Sequence, residues 1–524
     1  MNSIEKICNP ILPSDVFIPD GELRVFGDRV YLYGSHDLYG EKNLCGGDYL
    51  CFSCPVDEVG QWKNEGVIYE RKQDPYINSV LADKKGDKFN QYLYAPDVIE
   101  VKGRYYMYYG VAMSGSGIGV AVSDTPTGPF EYVGRVRYPE EEKSQGWNGD
   151  AHGINDGDMV LGKGIPMIQL NPFKKHFGIH MKGYAYDPAV LYDNERLFLY
   201  FGCGHCYVTE LSIVDMRTMK KSLETGKYIS EELLPTSKDK LEVERQNGWH
   251  FGNGSSIRKI GNTYYLSYYA VNKENNNALC YSTSKSPFGP FEYKGVLISL
   301  GNGRYKNQIN PTAYVGNTHG GMALIKEKWY QSYHRHTGDV FPSRQACLTE
   351  LVMTENGSFL QAEYKSQVKE EGGLPLGTMY SANIACEFFT KKGKTGNRKS
   401  TPYLDVKVVK AEKKQVVAGL YDGSSVGVKY IDFGMEEAYM KQAITIKVTW
   451  ILQLLDPGNG KVEIYVDEIS ESKKIAEVES VEQNGLCIIS QKQEKQITGV
   501  HEVYFRFFGQ NATTRFVAFK ADLE

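Results

Sequence analysis

An all-β fold is predicted by three features of the sequence. Tyrosine dominates the aromatics, with 38 residues against 22 Phe and 5 Trp, and aromatic side chains favour strands. The 54 glycines supply tight turns. Apolar residues come in short runs bounded by turn residues, not in long helical stripes. At 524 residues the chain is too long for one compact core, so two or more domains are expected.

Five segments carry the first part of the fold. In chain order they are Gly27-Asp-Arg-Val-Tyr-Leu-Tyr-Gly34, Gly103-Arg-Tyr-Tyr-Met-Tyr-Tyr-Gly110 and Asn194-Glu-Arg-Leu-Phe-Leu-Tyr-Phe-Gly202, then Gly261-Asn-Thr-Tyr-Tyr-Leu-Ser-Tyr-Tyr269 and Glu327-Lys-Trp-Tyr-Gln-Ser-Tyr-His334. Each reads as the turn and second strand of a β-hairpin. A second echo, Gly128-Pro-Phe-Glu-Tyr132 and Gly289-Pro-Phe-Glu-Tyr293, supports a repeat. A unit of this size recurring five times predicts a five-bladed β-propeller over residues 1–356. The alternative is one large β-sandwich of unrelated hairpins.

A polar, Gly- and Pro-containing stretch makes 357–377 a linker. Beyond it, 378–524 holds short alternating runs such as Ala443-Ile-Thr-Ile-Lys-Val-Thr-Trp450 and Val500-His-Glu-Val-Tyr-Phe-Arg-Phe507. Period-two alternation between turns predicts an antiparallel β-sandwich of the jelly-roll kind.

Composition excludes several classes. A formal charge of −4 leaves no electrostatic footprint for nucleic acid. No apolar run reaches membrane-spanning length, and the N-terminal text lacks a signal peptide's basic and apolar regions. The expectation is therefore a cytoplasmic protein with neither membrane nor nucleic-acid partner. Its ten cysteines are scattered, unlike a disulfide scaffold. Cys51/Cys54 and Cys203/Cys206 have half-zinc-site spacing, but as residues of strand-like text they read as buried thiols.

Counting back from each hairpin turn selects Asp20, Asp97, Asp187, Asn253 and His319, at the start of each blade's first strand. In a propeller these strands line the central axis, so the five positions converge. Gathering carboxylates there is costly as structure alone, whereas acid–base chemistry requires it.

These residues resemble glycoside hydrolase family 43. Asn9-Pro10 with Ile18-Pro-Asp20-Gly is similar to the blade-one motif carrying that family's general base. Tyr94-Ala-Pro-Asp97-Val and Tyr186-Asp187-Pro-Ala-Val are similar to the blade-two and blade-three motifs. Thr318-His319-Gly, Tyr333-His334-Arg and Ser343-Arg344-Gln345 match the blade-five text. The resemblance covers roughly residues 9 to 355. It implies hydrolysis, usually inverting, of α-L-arabinofuranosides or β-D-xylosides in plant oligo- or polysaccharides.

In that frame Asp20 would take a proton from the attacking water, and Asp187 would tune the acid and hold the sugar. An inverting pair of carboxyls should stand about 6.5–9.5 Å apart. Asp97, His250, Asn253, His334 and Arg344 are the expected sugar-contacting residues. No cofactor is required, and a structural calcium at His319 is the metal that the resemblance allows.

One position departs from the family. Its general acid is a Glu in blade four, and here the text reads His250-Phe-Gly-Asn253-Gly-Ser-Ser-Ile-Arg-Lys259. An amide donates no proton in this role, and losing a positioned acid costs about 10²–10⁴ in rate. Other donors in reach of the sequence are His250, Glu244, Asp150 and Asp156. The alternatives are a substrate whose leaving group needs no proton, a catalytically impaired carbohydrate-binding protein on the same scaffold, or another reaction at the cluster.

The second domain resembles a family 6 carbohydrate-binding module through Asp422-Gly-Ser-Ser-Val-Gly-Val-Lys-Tyr-Ile-Asp-Phe-Gly434 and Gly460-Lys-Val-Glu-Ile-Tyr-Val-Asp467. Tyr421, Tyr430 and Trp450 are its candidate sugar platforms, and the usual Asn-x-Asp before the last strand is missing at Thr514-Arg-Phe-Val-Ala-Phe519.

Overall fold

The five aromatic segments all form the hairpins expected of them. The computed structural model describes residues 8–78, 92–111, 117–139, 185–389, 406–434 and 447–523, apart from isolated positions 42, 76, 232, 236, 237, 247, 273, 275, 309, 338, 341, 412 and 413. Blade one is β1 (Glu22–Phe26), β2 (Arg29–Tyr33), β3 (Tyr49–Pro55) and β4 (Lys63–Tyr69). Blade two is β5 (Leu93–Val101), β6 (Arg104–Val111), β7 (Ile118–Ser123) and β8 (Glu131–Arg135). Blade three is β9 (Ala189–Asp193), β10 (Arg196–Phe201), β11 (Tyr207–Leu211) and β12 (Met219–Lys220). Blade four is β13 (His250–Ile260), β14 (Thr263–Val271), β15 (Asn277–Ser284) and β16 (Glu292–Ser299). Blade five is β17 (Met322–Ile325), β18 (Lys328–Arg335) and β19 (Gln345–Leu351). Within each blade the strands pair antiparallel in chain order.

The first two strands of every blade meet through a two-residue turn, as in Phe26↔Arg29, Val101↔Arg104 and Asp193↔Arg196. The first turn residue is left-handed in each: Gly27, Lys102, Asn194, Gly261 and Lys326 have φ between 49° and 59°. Such turns match the twist of the strands they join. The Gly-Pro-Phe echo leads into β8 and β16, the fourth strands. Phe130 donates its backbone N–H to Ile68 of β4, and Phe291 packs its ring on Tyr200 of β10.

Five interblade cores close the ring. Tyr33, Tyr49 and Tyr69 meet Met107 and Tyr109 between blades one and two. Tyr108 and Val120 meet Leu197 and Leu199 between two and three. Phe198 and Tyr200 meet Phe251 and Tyr264 between three and four. Tyr281 and Leu297 meet Tyr333 and Cys347 between four and five, and Leu23 and Leu32 meet Tyr330 and Leu348 between five and one. Tyrosine is thus a recurring component of these seams.

The seam between blades five and one carries a polar latch. Asn9 donates to Leu348 O at 2.9 Å and Lys365 O at 3.3 Å, and accepts from Leu348 N–H at 2.8 Å. Its own N–H reaches Ser366 O at 2.7 Å, and Ile11 N–H reaches Ala346 O at 3.0 Å.

Two six-stranded sheets follow. One is ordered Leu374–Pro375, Ser425–Asp432, Val500–Phe508, Gly460–Val466 and Lys474–Ser480, with Glu387–Phe389 also on Ser425–Asp432. The other runs Lys407–Ala411, Lys414–Ala418, Arg515–Leu523, Val448–Leu455 and Leu486–Lys492, with Tyr380–Ser381 on Arg515–Leu523. Trp450, Phe505, Phe516 and Phe519 fill the space between them. Trp450 is therefore core, and Tyr430 is committed to Glu363 at 2.7 Å; of the three named aromatics, Tyr421 is the exposed one.

Residues 357–377 do not run as a free linker. Phe359, Ala362, Tyr364 and Leu374 are buried, and the core between blades four and five continues through them into the sandwich, while Val368 is buried in the core between blades five and one. Arg335 of β18 donates to Ala385 O at 3.0 Å, and Lys429 Nζ reaches Glu363 and Glu387 at 3.2 and 3.0 Å. All ten cysteines are free thiols, and the described residues hold no cluster of three metal-ligating side chains. No helix among them is long and apolar enough to cross a membrane.

Candidate active site

Asp20 and Asp187 sit on the turns that deliver the chain into β1 and β9, the innermost strands of blades one and three. Both have left-handed backbones, with φ of 59° and 45°, and both are buried. Measured from the hairpin turns, each lies seven residues ahead of its turn's first residue. The same register position in blades two and four is Ala95 (φ 23°) and Gly254 (φ 67°). A left-handed step at this register position of the innermost strand's start is thus a repeated device, and Asp is among the residues that tolerate it.

The environments of the two carboxyls differ sharply. Asp20 accepts from Ser35 Oγ at 2.7 Å and from Arg344 Nη1 at 3.2 and 3.3 Å on its two oxygens. Ser35 is itself fixed by the Ala95 N–H at 2.7 Å. Arg344 is fully buried and shared: Nε and Nη2 grip Asp37 at 2.9 Å each, and Nη2 also reaches Cys45 Sγ at 3.2 Å. The charge-assisted fork on Asp37 holds the guanidinium still, and its third nitrogen in turn positions Asp20.

Asp187 has no such cation in contact among the described residues. Burial raises its pKa well above the ordinary carboxyl range, and the charge of Asp20 adds to the shift; Arg344 and a hydrogen bond from the Gly254 N–H oppose it. One carboxyl is held by a guanidinium, while the other favours its proton.

Around the pair, Tyr94 and Tyr186 place their ring centroids 5.5 Å apart, and the partly exposed Cys203 lies near Asp187. Asn253 is half-buried on β13, with a register irregularity on each side of it. Gly254 lies so close to His319 that a Cβ there would stand 2.8 Å from the imidazole Cγ.

The structure thus brings Asp20, Asp187, Asn253, His319 and Arg344 into one neighbourhood. Three of the expected sugar contacts are engaged with protein groups in this structure. Asp97 is completely buried, gripped by Arg24 Nε at 2.9 Å and by the Val190 N–H at 2.8 Å, so it ties blades one, two and three together. It lies two residues beyond the position equivalent to Asp20, which Ala95 occupies. His334 is also fully buried: its Nδ1 accepts the Asp20 N–H at 3.1 Å, so it supports the backbone of Asp20. Burial, then Arg344, pushes its pKa well below normal, so it is neutral. Arg344 is 1% exposed and directs its guanidinium to Asp20 and Asp37.

His250 is half-buried with its pKa lowered by burial, and nothing among the described residues joins it to either carboxyl. Glu244 is exposed on the short helix Lys240–Arg245. Asp150 and Asp156 lie outside the described residues. Ser35, Asp37, Cys45 and Gly254 had no signal in the sequence. Tyr94 and Tyr186 did, in the paired Tyr-Ala-Pro-Asp and Tyr-Asp-Pro text.

His319 is buried, with no hydrogen-bond partner on either ring nitrogen among the described residues. Those free nitrogens suit water. A single imidazole is a poor donor set for calcium, which takes six to eight oxygens, and no carboxylate cluster completes one among the described residues.

Comparison with known proteins adds to this geometry. The family model described as Glycosyl hydrolases family 43 matches residues 7–159 and 168–359. A Xylosidase/arabinosidase of Thermoclostridium stercorarium is 32% identical over 481 residues, which cover 88% of this chain and 91% of that protein. A Xylosidase/arabinosidase of Bacteroides ovatus is 27% identical over 68% of this chain and 98% of its own. An Arabinoxylan arabinofuranohydrolase of Bacillus subtilis is 24% identical over 92% of this chain and 86% of its own.

Proposed function

The chain belongs to glycosyl hydrolases family 43, and on that premise we propose that it cleaves α-L-arabinofuranosides or β-D-xylosides of plant-derived oligo- and polysaccharides, with Asp20 as the base that activates water. It is a glycosidase, hydrolysing O-glycosyl bonds. The observation that carries the assignment of the base is the asymmetry of the two buried carboxyls. Asp20 accepts hydrogen bonds from Arg344 and Ser35, and Asp187, buried without a cation in contact, is biased toward its neutral form.

The rival reading, a sugar-binding protein without turnover, finds no support, because the relatives named above are all glycosidases. Calcium enters no step, since the residues around His319 do not supply its ligands.

The test is direct. Aryl arabinofuranosides, aryl xylosides and arabinoxylan oligosaccharides are each incubated with the protein, and the anomer first released is read by NMR. Turnover of at least one, with inverted product and its loss in Asp20→Ala, is expected. No turnover of any of them, or undiminished activity in Asp20→Ala, refutes the proposal.

A further inference from the structure

Family 43 chemistry needs a proton for the departing oxygen, and the position that should supply it is Asn253. We infer that Asp187 is the proton donor of this enzyme, taking over the task that Asn253 cannot perform. The inference rests on the hydrolase reading above and goes beyond the tuning role that the resemblance implies for Asp187.

Three observations carry it. Asp187 and Asn253 flank one point of the site: the Gly254 N–H, next to Asn253, is the hydrogen bond that Asp187 accepts. Among the described residues Asp187 is buried with no cation in contact, which favours its proton, whereas Asp20 accepts from the Arg344 guanidinium. The remaining neighbours leave that proton in place. Tyr94, Tyr186 and Cys203 face Asp187, and burial keeps all three in their neutral forms. His319 lies against Gly254 with its Nδ1 3.9 Å from Asp20, and Arg344 acts on Asp187 only from its place against Asp20 and Asp37. A neutral amide at position 253 neither competes for the proton nor provides one.

The step balances. Water attacks the anomeric carbon and gives a proton to the Asp20 carboxylate. The bond from that carbon to the glycosidic oxygen breaks, and the oxygen takes the Asp187 proton and leaves as an alcohol. Asp20 ends protonated and Asp187 ionised, and exchange with solvent restores both.

Leaving groups provide the test. A 4-nitrophenolate departs with little help, whereas a sugar alkoxide needs its proton. In Asp187→Asn, kcat/KM on arabinoxylan or xylan oligosaccharides should fall about 10²–10⁴-fold. The fall on the matching 4-nitrophenyl glycoside should be much smaller, and the alkaline limb of the pH profile should disappear. Equal losses on both substrates with the alkaline limb unchanged would overturn the inference and leave Asp187 as a positioning residue. If the variant fails to fold, the wild type decides: its alkaline limb must be steeper for oligosaccharide than for 4-nitrophenyl glycoside, and coincident limbs overturn the proposal. A wild type inert on both substrates would instead refute the hydrolase reading.

Discussion

Arg344 is the residue whose replacement has the most direct energetic consequence. Its guanidinium lies between Asp37, held at 2.9 Å through Nε and Nη2, and Asp20, held at 3.2 Å through Nη1, with side-chain exposures of 2%, 0% and 7% for Arg344, Asp37 and Asp20. Methionine at 344 would fill a similar volume and strand two buried carboxylates. Removing one partner of a buried pair costs about 3–5 kcal/mol, and the loss of a shared cation belongs at the upper end. Lysine would keep one charge but cannot fork to both acceptors, and a lost charged hydrogen bond is worth about 1.5–3 kcal/mol. Urea unfolding at pH 7, followed by tyrosine and tryptophan fluorescence, should therefore rank wild type above Arg344→Lys and Arg344→Lys above Arg344→Met. Because Arg344 also fixes the Asp20 carboxylate, Arg344→Lys should lose kcat more than its stability loss explains. A methionine variant within about 1 kcal/mol of wild type would refute the shared-cation reasoning.

Other predictions follow from neighbouring features. A carboxyl whose folded-state pKa lies above its unfolded value keeps an extra proton in the native state, so wild-type stability falls as pH rises from about 4 toward the folded value of Asp187. Asp187→Asn removes that fall, so its stability relative to wild type should increase as pH rises above about 4; a decrease in relative urea midpoint over that range would refute the burial argument. Asp97→Ala leaves Arg24 buried without its partner and should cost about 3–5 kcal/mol in urea unfolding, with KM unchanged in the folded fraction; a raised KM would return Asp97 to the sugar site. Gly254→Ala places a Cβ against His319 at a left-handed φ and should lower kcat by an order of magnitude or more; normal kinetics would show that this segment yields freely. A chain ending at 377 uncovers Leu297, Tyr333 and Tyr364 and should aggregate on expression, and a soluble, active propeller would show that the shared core is dispensable.

How much of this was legible depended on whether the cause was local. The hairpins were, because a two-residue turn followed by crowded aromatics is a short-range signal, and all five formed. Asp20 and Asp187 were found by counting from those turns. Asp97 was misplaced by the same count, because the blade-two turn begins at Lys102 and a register irregularity between Tyr94 and Asp97 shifts the strand. Arg344 was marked by its motif but its pairing was not, since its Asp37 partner is 307 residues away in sequence and in text with no pattern. Alternation predicted the sandwich, yet it names a buried face without saying which residues take it, and so left Tyr430 and Trp450 as open candidates. The continuity of its core with blades four and five had no trace in the sequence, because both sides read as ordinary hydrophobic strand.

The Asn9 latch has a consequence for how the ring comes apart. It joins segments 356 residues apart at Lys365, and holding the ends of a chain that long together costs about 5 kcal/mol of loop entropy by the (3/2)RT ln n scaling. The latch, the apolar contacts of that seam and the buried Arg344 contacts to Asp20 and Asp37 oppose this tension, whereas the other four seams join blades that are neighbours along the chain. Opening between blades five and one would separate these chain-distant segments, with the loop entropy recovered only as the chain between them unfolds. Solvent reaching that seam would find the backbone of Asp20, and the active site would lose its geometry while four blades still stood.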